Sequence, residues 1–156
     1  MTKVFEGRPN GTGRRFALVV ARFNDFVTSR LKASARQELV DCGTADADIH
    51  EILVPGAFEI PLAAREAARS GRYDAVICLG AVIRGATPHF DHVAREASHG
   101  IAEVSSSEEI PVGFGILTVD TIEQAIERAG TKAGNKGADA ALAAIQMATV
   151  LRQLEQ

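Results

Sequence analysis

The chain has 156 residues, enough for one compact domain with a substantial core. Apolar residues make up 46% and charged residues 24%, and the net charge of −3 gives no electrostatic support for binding nucleic acid or an anionic membrane. No apolar run is long enough to span a membrane, and residues 1–15 lack the apolar stretch of a signal peptide, so we expect a cytoplasmic protein.

Short apolar runs alternate along the chain with the spacing of amphipathic helices. In chain order they predict strand 16–21, helix 27–40, strand 49–54, helix 60–69, strand 75–79, a helix after Thr87–Pro88, strand 112–119, a helix from Asp120 or Thr121 to Gly130, and helix 137–154. Three of the strand segments are nearly continuous apolar runs, which is typical of strands covered on both faces.

Two helix starts carry local signals. Pro88 suits the first position of its helix, because a missing N–H costs nothing there. The next helix can be capped by Asp120 with Glu123 or by Thr121 with Gln124.

The order of these elements predicts a single-domain α/β protein with a four-stranded parallel sheet and helices on both faces. The domain occupies residues 13–156, and residues 1–12 form an N-terminal arm whose Val4 and Phe5 could add a short strand to a neighbouring subunit's sheet.

The two cysteines match no metal or redox motif, so we expect Cys78 to be a buried hydrophobe and Cys42 a thiol near the surface.

Ligands of parallel sheets bind beyond the carboxyl ends of the strands, and the unusual residues of this chain follow its predicted strands. Gly85, Ala86 and Thr87 could bring backbone N–H groups to an anion at a helix N-terminus, or could form a tight turn with Thr87 as N-cap. The segment is neither a Walker loop nor a dinucleotide fingerprint, which disfavours a nicotinamide enzyme.

His89 follows in the first turn of the same helix. The helix dipole disfavours its imidazolium and a bound phosphate would favour it, so His89 is either a proton carrier near neutral pH or an exposed surface histidine. No carboxylate lies at the spacing of a zinc motif. Arg128 in a last helical turn either complements the helix dipole or clamps a phosphate.

The remaining candidates also have two interpretations. Phe23, Phe58 and Phe114 are either core residues or stacking platforms for a flat ring. Glu59 either accepts hydrogen bonds from hydroxyl groups or faces water, and the loop that carries Lys136 is an exposed connector or a subunit contact.

Five segments, in order and spread over nearly the whole chain, together resemble the lumazine synthase family. They are ARFNDF at 21–26, VPGAFEIP at 54–61, LGAVIRGATPHFDHV at 79–93, PVGFGILT at 111–118 and IEQAIERAGTKAGNKG at 122–137. The resemblance implies a flavodoxin-like, three-layer αβα sandwich. It also implies an enzyme without metal or organic cofactor that condenses 5-amino-6-(D-ribitylamino)uracil with 3,4-dihydroxy-2-butanone 4-phosphate to 6,7-dimethyl-8-ribityllumazine, releasing phosphate and water.

The resemblance further implies a role for each candidate residue. Phe23 would stack on the pyrimidine, His89 would transfer protons, and Phe114 and Lys136 would reach the site from the adjacent subunit. The ribityl chain would be bound by Ala57, Phe58 and Glu59, the ring by backbone groups of Ala81, Val82 and Ile83, and the phosphate by Gly85, Ala86, Thr87 and Arg128. Pro88, which has no N–H, could not donate to that phosphate.

Assembly is the last implication of the resemblance. The family forms homopentamers, twelve of which build a hollow icosahedral shell in some members, and the uninterrupted GTKAGN at 130–135 resembles those members. The sequence leaves open whether riboflavin synthase is a partner. Two rival functions share this architecture, namely a flavin- or nucleotide-binding module without catalysis and a structural shell protein that has lost the activity.

Overall fold

The computed structural model describes residues 1–86, 88–130 and 134–156, and it has a four-stranded, fully parallel sheet. The strands, in chain order, are β1 (Phe16–Ala21), β2 (Ile49–Val54), β3 (Ala75–Ile83) and β4 (Val112–Val119). Their order across the sheet is β2-β1-β3-β4, so β1 and β3 lie at the centre. The predicted α/β fold with a parallel sheet is confirmed.

Within the described residues, five α-helices cover both faces of this sheet. They are α1 (Asp25–Asp41), α2 (Ile60–Arg69), α3 (His89–Glu108), α4 (Ile122–Arg128) and α5 (Lys136–Leu154). One core cluster joins the sheet to α1, α4 and α5, and the other joins it to α2 and α3. The result is the three-layer αβα sandwich that the sequence predicts.

The strand runs are buried as their continuous apolar character indicates. Every residue of β1 is buried, because helices cover both of its faces and strands flank both of its edges. On α1, the fourfold spacing of Val27, Leu31, Ala35 and Leu39 gives a stripe that is fully buried against the sheet.

Strand β3 is longer than the sequence predicts. It continues from Leu79 to Ile83, because Gly80 to Ile83 pair with Ile116 to Val119 of β4. The segment 80–83, which the sequence analysis places after the strand, is therefore the rigid carboxyl end of a central strand.

Two predicted helix ends also need correction. The fourth helix ends at Arg128 rather than at Gly130, and Pro88 lies at the N-cap of α3 rather than at its first helical position. Both shifts are within the fraying expected at helix termini, and proline leaves no unsatisfied N–H at either position. The alternative N-cap, Thr87, lies outside the described residues.

The start of α4 distinguishes the two predicted caps. Thr121 is the N-cap, and its hydroxyl oxygen accepts a hydrogen bond of 3.1 Å from the N–H of Gln124. The side-chain oxygen of Gln124 in turn accepts the N–H of Asp120 at 2.8 Å. The pair Thr121 and Gln124 therefore fixes the turn between β4 and α4.

The N-terminal arm lies along α5. The N–H of Arg8 donates to the hydroxyl of Thr149 at 2.7 Å, and the side-chain amide of Gln153 donates to the carbonyl of Glu6 at 2.7 Å. Val4 and Phe5 are not in a strand within this chain, and their pairing with a neighbouring subunit stays a prediction. Within the described residues, no helix is both long and apolar enough to cross a membrane.

Both cysteines are free, and their burial follows the prediction. Cys78 lies fully buried in β3, where burial raises the pKa of its thiol to about 12. Cys42 is half-buried at the end of α1, and its pKa is also raised, first by burial and then by the nearby carboxylates of Glu38 and Asp41.

Candidate active site

A cavity of about 250 Å³ lies at the carboxyl ends of the strands, beside the central pair β1 and β3. Connections from these two strands leave in opposite directions there, and the gap between them is where ligands of open parallel sheets bind. We call this the rim cavity. Its lining is formed by Phe23, Asn24, Ala57, Phe58, Glu59, Ala81, Val82, Ile83, Gly85, His89, Phe90 and Val93.

The first wall is the turn between β1 and α1. The N–H of Arg22 donates to the carbonyl of Val54 at 2.8 Å, and the N–H of Phe23 donates to the carbonyl of Pro55 at 2.9 Å. These bonds continue the pairing of β1 with β2 beyond the strand ends. The backbone of Phe23 is therefore fixed while its side chain stays 71% exposed at the cavity.

The second wall is a single 3₁₀ turn, Ala57–Glu59, between β2 and α2. The N–H of Glu59 donates to the carbonyl of Gly56 at 3.2 Å, and this bond closes the turn. Ala57 is buried, Phe58 is exposed and Glu59 is half-buried, so the turn presents an aromatic ring and a carboxylate next to each other. The core interpretation of Phe23 and Phe58 is wrong, because both rings face solvent.

The third wall is the carboxyl end of β3. Ala81 and Val82 are buried and Ile83 is half-buried, and all three line the rim cavity. Their pairing with β4 holds this backbone rigid, so it can offer fixed hydrogen-bonding groups to a ligand.

Gly85 also lines the cavity, at the approach to α3. A Cβ atom at Gly85 would meet no atom within 4 Å, so the packing of this chain does not itself require glycine there. Ala86 is exposed and is not part of the lining, and Thr87 lies outside the described residues. The anion interpretation of this segment therefore stays a prediction.

His89 is the first residue of α3. It is exposed and lines the cavity together with Phe90 and Val93. A helix of 20 residues starts at His89, so the positive end of its dipole lies at this wall. Among the described residues, no group of three His, Cys, Asp or Glu side chains is arranged to hold a metal ion.

Arg84 connects the elements around the start of α3, a role that the sequence analysis did not predict. Its side chain donates to the carboxylate of Asp120 at 2.8 Å, lies 4.0 Å from that of Asp91, and sits over the ring of Phe90 with 4.6 Å to the centroid. The hydrogen bond to Asp120 raises the pKa of Arg84 above its usual value. Three elements, β3, α3 and the β4–α4 turn, are thus joined at one guanidinium.

The structure separates three predicted residues from the cavity of their own chain. Phe114 lies on the edge strand β4 with its ring 49% exposed, Arg128 is half-buried at the end of α4, and Lys136 is exposed at the start of α5. Lys136 forms an ion pair of 3.7 Å with Asp139. None of the three lines the rim cavity.

Strand register separates Phe114 from the rim cavity of its own chain. Phe114 pairs with Cys78, whereas Ala81, the cavity residue of β3 nearest to it in register, pairs with Leu117. Three residues of strand correspond to about 10 Å. The exposed ring of Phe114 is thus far from its own rim cavity and available to a neighbouring molecule.

Asn24, Phe90 and Val93 are lining residues that the sequence analysis did not assign to the site. Phe90 and Val93 lie on the apolar face of α3, and that face continues into the cavity. Asn24 carries a signal that could have been used, since asparagine at a strand–helix turn tolerates the left-handed conformation.

A larger cavity of about 460 Å³ lies at the opposite end of the sheet. Its lining contains none of the predicted site residues that the structure describes. The wall carries side chains of both charges, among them Arg14, Asp74 and Glu108. Its location at the amino ends of the strands is not the ligand-binding end of a parallel sheet.

Comparison with known proteins gives a consistent result. Residues 13–152 match the family model described as 6,7-dimethyl-8-ribityllumazine synthase. A curated protein of the same name from Desulfatibacillum aliphaticivorans is 59% identical over 155 residues, which cover 99% of this chain and 100% of the relative.

Proposed function

The chain belongs to the 6,7-dimethyl-8-ribityllumazine synthase family, and we propose that the rim cavity, completed by a second subunit, is its active site. The enzyme condenses 5-amino-6-(D-ribitylamino)uracil with 3,4-dihydroxy-2-butanone 4-phosphate to 6,7-dimethyl-8-ribityllumazine, the penultimate step of riboflavin biosynthesis. The observation that carries the assignment of the site is that Phe23, Glu59 and His89, which belong to three separate segments, line one cavity.

The pyrimidine binds against Phe23 in this proposal. A ring with a fixed backbone and an exposed face suits the stacking of a flat heterocycle. The backbone groups of Ala81, Val82 and Ile83 bind the polar edge of the heterocycle, and the rigid pairing of β3 with β4 supports this role. Because the backbone makes this contact, the role does not require a polar side chain at position 81.

The ribityl chain lies along the turn Ala57–Glu59. The carboxylate of Glu59 accepts hydrogen bonds from hydroxyl groups, and Ala57 and Phe58 provide the neighbouring surface. The exposed Phe58 and the half-buried Glu59, both at the cavity, support this placement.

The phosphate of the second substrate binds at the N-terminal end of α3. Gly85, Ala86 and Thr87 precede this helix, whose dipole attracts anions. Arg128 provides the cation that pairs with this phosphate. Because Arg128 does not line the rim cavity of its own chain, the proposal includes an arrangement of subunits that brings Arg128 to the rim cavity of a neighbour.

His89 moves the protons of the reaction. The amine of the pyrimidine adds to the ketone carbon of the butanone, and water leaves as the imine forms. Elimination of phosphate leaves an enol that tautomerises to a second ketone, and the ribityl-bearing nitrogen adds to this carbonyl and closes the ring with loss of a second water. His89 accepts and returns protons at successive steps. The amine is already a nucleophile, so orientation of the two substrates supplies much of the remaining acceleration, and this mechanism uses no organic cofactor or metal.

The assembly in this proposal is a homopentamer in the cytoplasm, with each site between two subunits. Phe114 and Lys136 enter the neighbour's site, and the exposure of Phe114 about 10 Å along β4 from its own cavity supports this. We extend the proposal to a shell of twelve pentamers because the segment 130–135 resembles shell-forming members, although residues 131–133 lie outside the described structure. Riboflavin synthase is the candidate protein partner of such a shell.

The test mixes the purified protein with both substrates and follows lumazine absorbance and phosphate release. Turnover by the wild type that is slower in His89→Ala supports the proposed active site. Tight flavin binding without turnover supports a binding module. An assembled shell with neither turnover nor flavin binding supports a structural protein. Light scattering on the same sample measures the particle, and a monomer would contradict the shared site.

A further inference from the structure

Asn24 has an unusual backbone conformation at the wall of the rim cavity. Among the residues that the structure describes, the non-glycine residues with positive φ are Asn24, at 65°, and Glu109, at 53°. The carbonyl of Asn24 accepts the N–H groups of Val27 and Thr28 at 3.0 Å each, so this residue ends the turn and starts α1. Its left-handed conformation turns the chain sharply just after Phe23.

The side chain of Asn24 does not cap α1. Its Nδ2 instead donates to the carbonyl oxygen of Ala81 at 3.0 Å, in a half-buried position. This bond joins two segments 57 residues apart in sequence, the β1–α1 turn and the carboxyl end of β3. Both segments form walls of the cavity, and the bond fixes the distance between them.

Hydrogen bonds to neighbouring segments fix the backbone on both sides of the Phe23 side chain. The N–H of Phe23 is held by Pro55 beyond β2, and the next residue is held by Ala81 on β3. With most of its side chain exposed, the ring has little packing of its own to orient it. The direction of the ring therefore depends on the backbone on both sides.

We propose that Asn24 is a positioning residue for the pyrimidine, which sets the orientation of Phe23 relative to the rigid end of β3 through its left-handed backbone and the hydrogen bond from its amide to the Ala81 carbonyl. This inference rests on the proposed stacking role of Phe23. Few side chains meet both requirements. Glycine supplies the backbone conformation without a donor, aspartate tolerates the conformation but cannot donate to a carbonyl, and alanine does neither.

Steady-state kinetics on Asn24→Gly, Asn24→Asp and Asn24→Ala separate the two requirements. We expect Asn24→Gly and Asn24→Asp to raise KM for 5-amino-6-(D-ribitylamino)uracil about three- to tenfold, the effect of one lost hydrogen bond, with kcat and KM for the butanone phosphate within about twofold. Asn24→Ala should raise the same KM further because its backbone is also strained. Gln37→Ala is the matched control, since it removes an amide hydrogen bond of 2.8 Å from the far end of α1.

A fluorescence experiment tests the orientation directly. The chain has no tryptophan, so Phe23→Trp places a single reporter on the cavity wall. Adding Asn24→Gly to this variant should lower the fluorescence anisotropy of the reporter, whereas adding Gln37→Ala should leave it unchanged.

The outcomes distinguish the inference from the function on which it rests. If Phe23→Ala leaves KM for the pyrimidine unchanged, the stacking role itself is wrong. If Phe23→Ala raises this KM but Asn24→Gly keeps wild-type KM and anisotropy, the stacking role stands and the positioning role of the Asn24 amide is overturned.

Discussion

Replacing Phe23 with alanine should weaken binding of the pyrimidine without destabilising the protein. The ring is 71% exposed, and its backbone is held by a hydrogen bond of 2.9 Å to Pro55 that the substitution leaves in place. Loss of so exposed a side chain should change the free energy of unfolding by no more than about 0.5 kcal/mol. For a chain of this size, the melting temperature should then shift by about 2 °C at most.

The effect on the ligand should be much larger. Stacking of a nucleobase on an aromatic side chain contributes about 1–3 kcal/mol, which corresponds to an increase of about 5- to 150-fold in Kd. Stacking acts equally on the bound substrate and on the transition state, so KM for the pyrimidine should rise while kcat stays close to that of the wild type.

Titration calorimetry with 5-amino-6-(D-ribitylamino)uracil measures the Kd, and thermal unfolding measures the stability. Phe26→Ala is the matched control, because Phe26 is a nearby phenylalanine, 46% exposed, that does not line the rim cavity. An unchanged Kd for Phe23→Ala, or an equal loss of affinity in Phe26→Ala, would refute the stacking argument.

Three further predictions test other parts of the chain. His89→Ala should lower kcat about 10²- to 10⁴-fold with little change in pyrimidine affinity, and single-turnover rates that match the wild type would remove the proton-transfer role. Arg128→Ala should chiefly raise KM for the butanone phosphate, whereas loss of the oligomer in light scattering with that KM intact would favour a structural role. In the folded protein at pH 8, Cys78 should be inert to a thiol reagent because its pKa of about 12 keeps it protonated, and Cys42, whose pKa is also raised, should react slowly. Unfolding should expose both thiols, and rapid labelling of Cys78 before unfolding would contradict its burial.

The sequence determined the elements of the fold, because local patterns record which faces of a segment are buried. The unbroken apolar run of β1 is buried throughout, and the fourfold apolar spacing of α1 lies against the sheet. The sequence also located the start of α4 at Asp120 or Thr121, and the hydrogen bonds of the structure select Thr121 with Gln124 as the capping pair. Such features depend on residues close in sequence, so composition and spacing are sufficient to find them.

Tertiary structure decided what depends on distant partners. Residues 80–83 are strand because β4 pairs with them, although Gly80 interrupts the apolar run before Ala81, Val82 and Ile83. The side chain of Asn24 reaches Ala81 only after β3 has been placed beside β1, and the separation of Phe114 from its own cavity follows from strand register. These contacts join residues far apart along the chain, and their geometry exists only when the whole sheet has assembled.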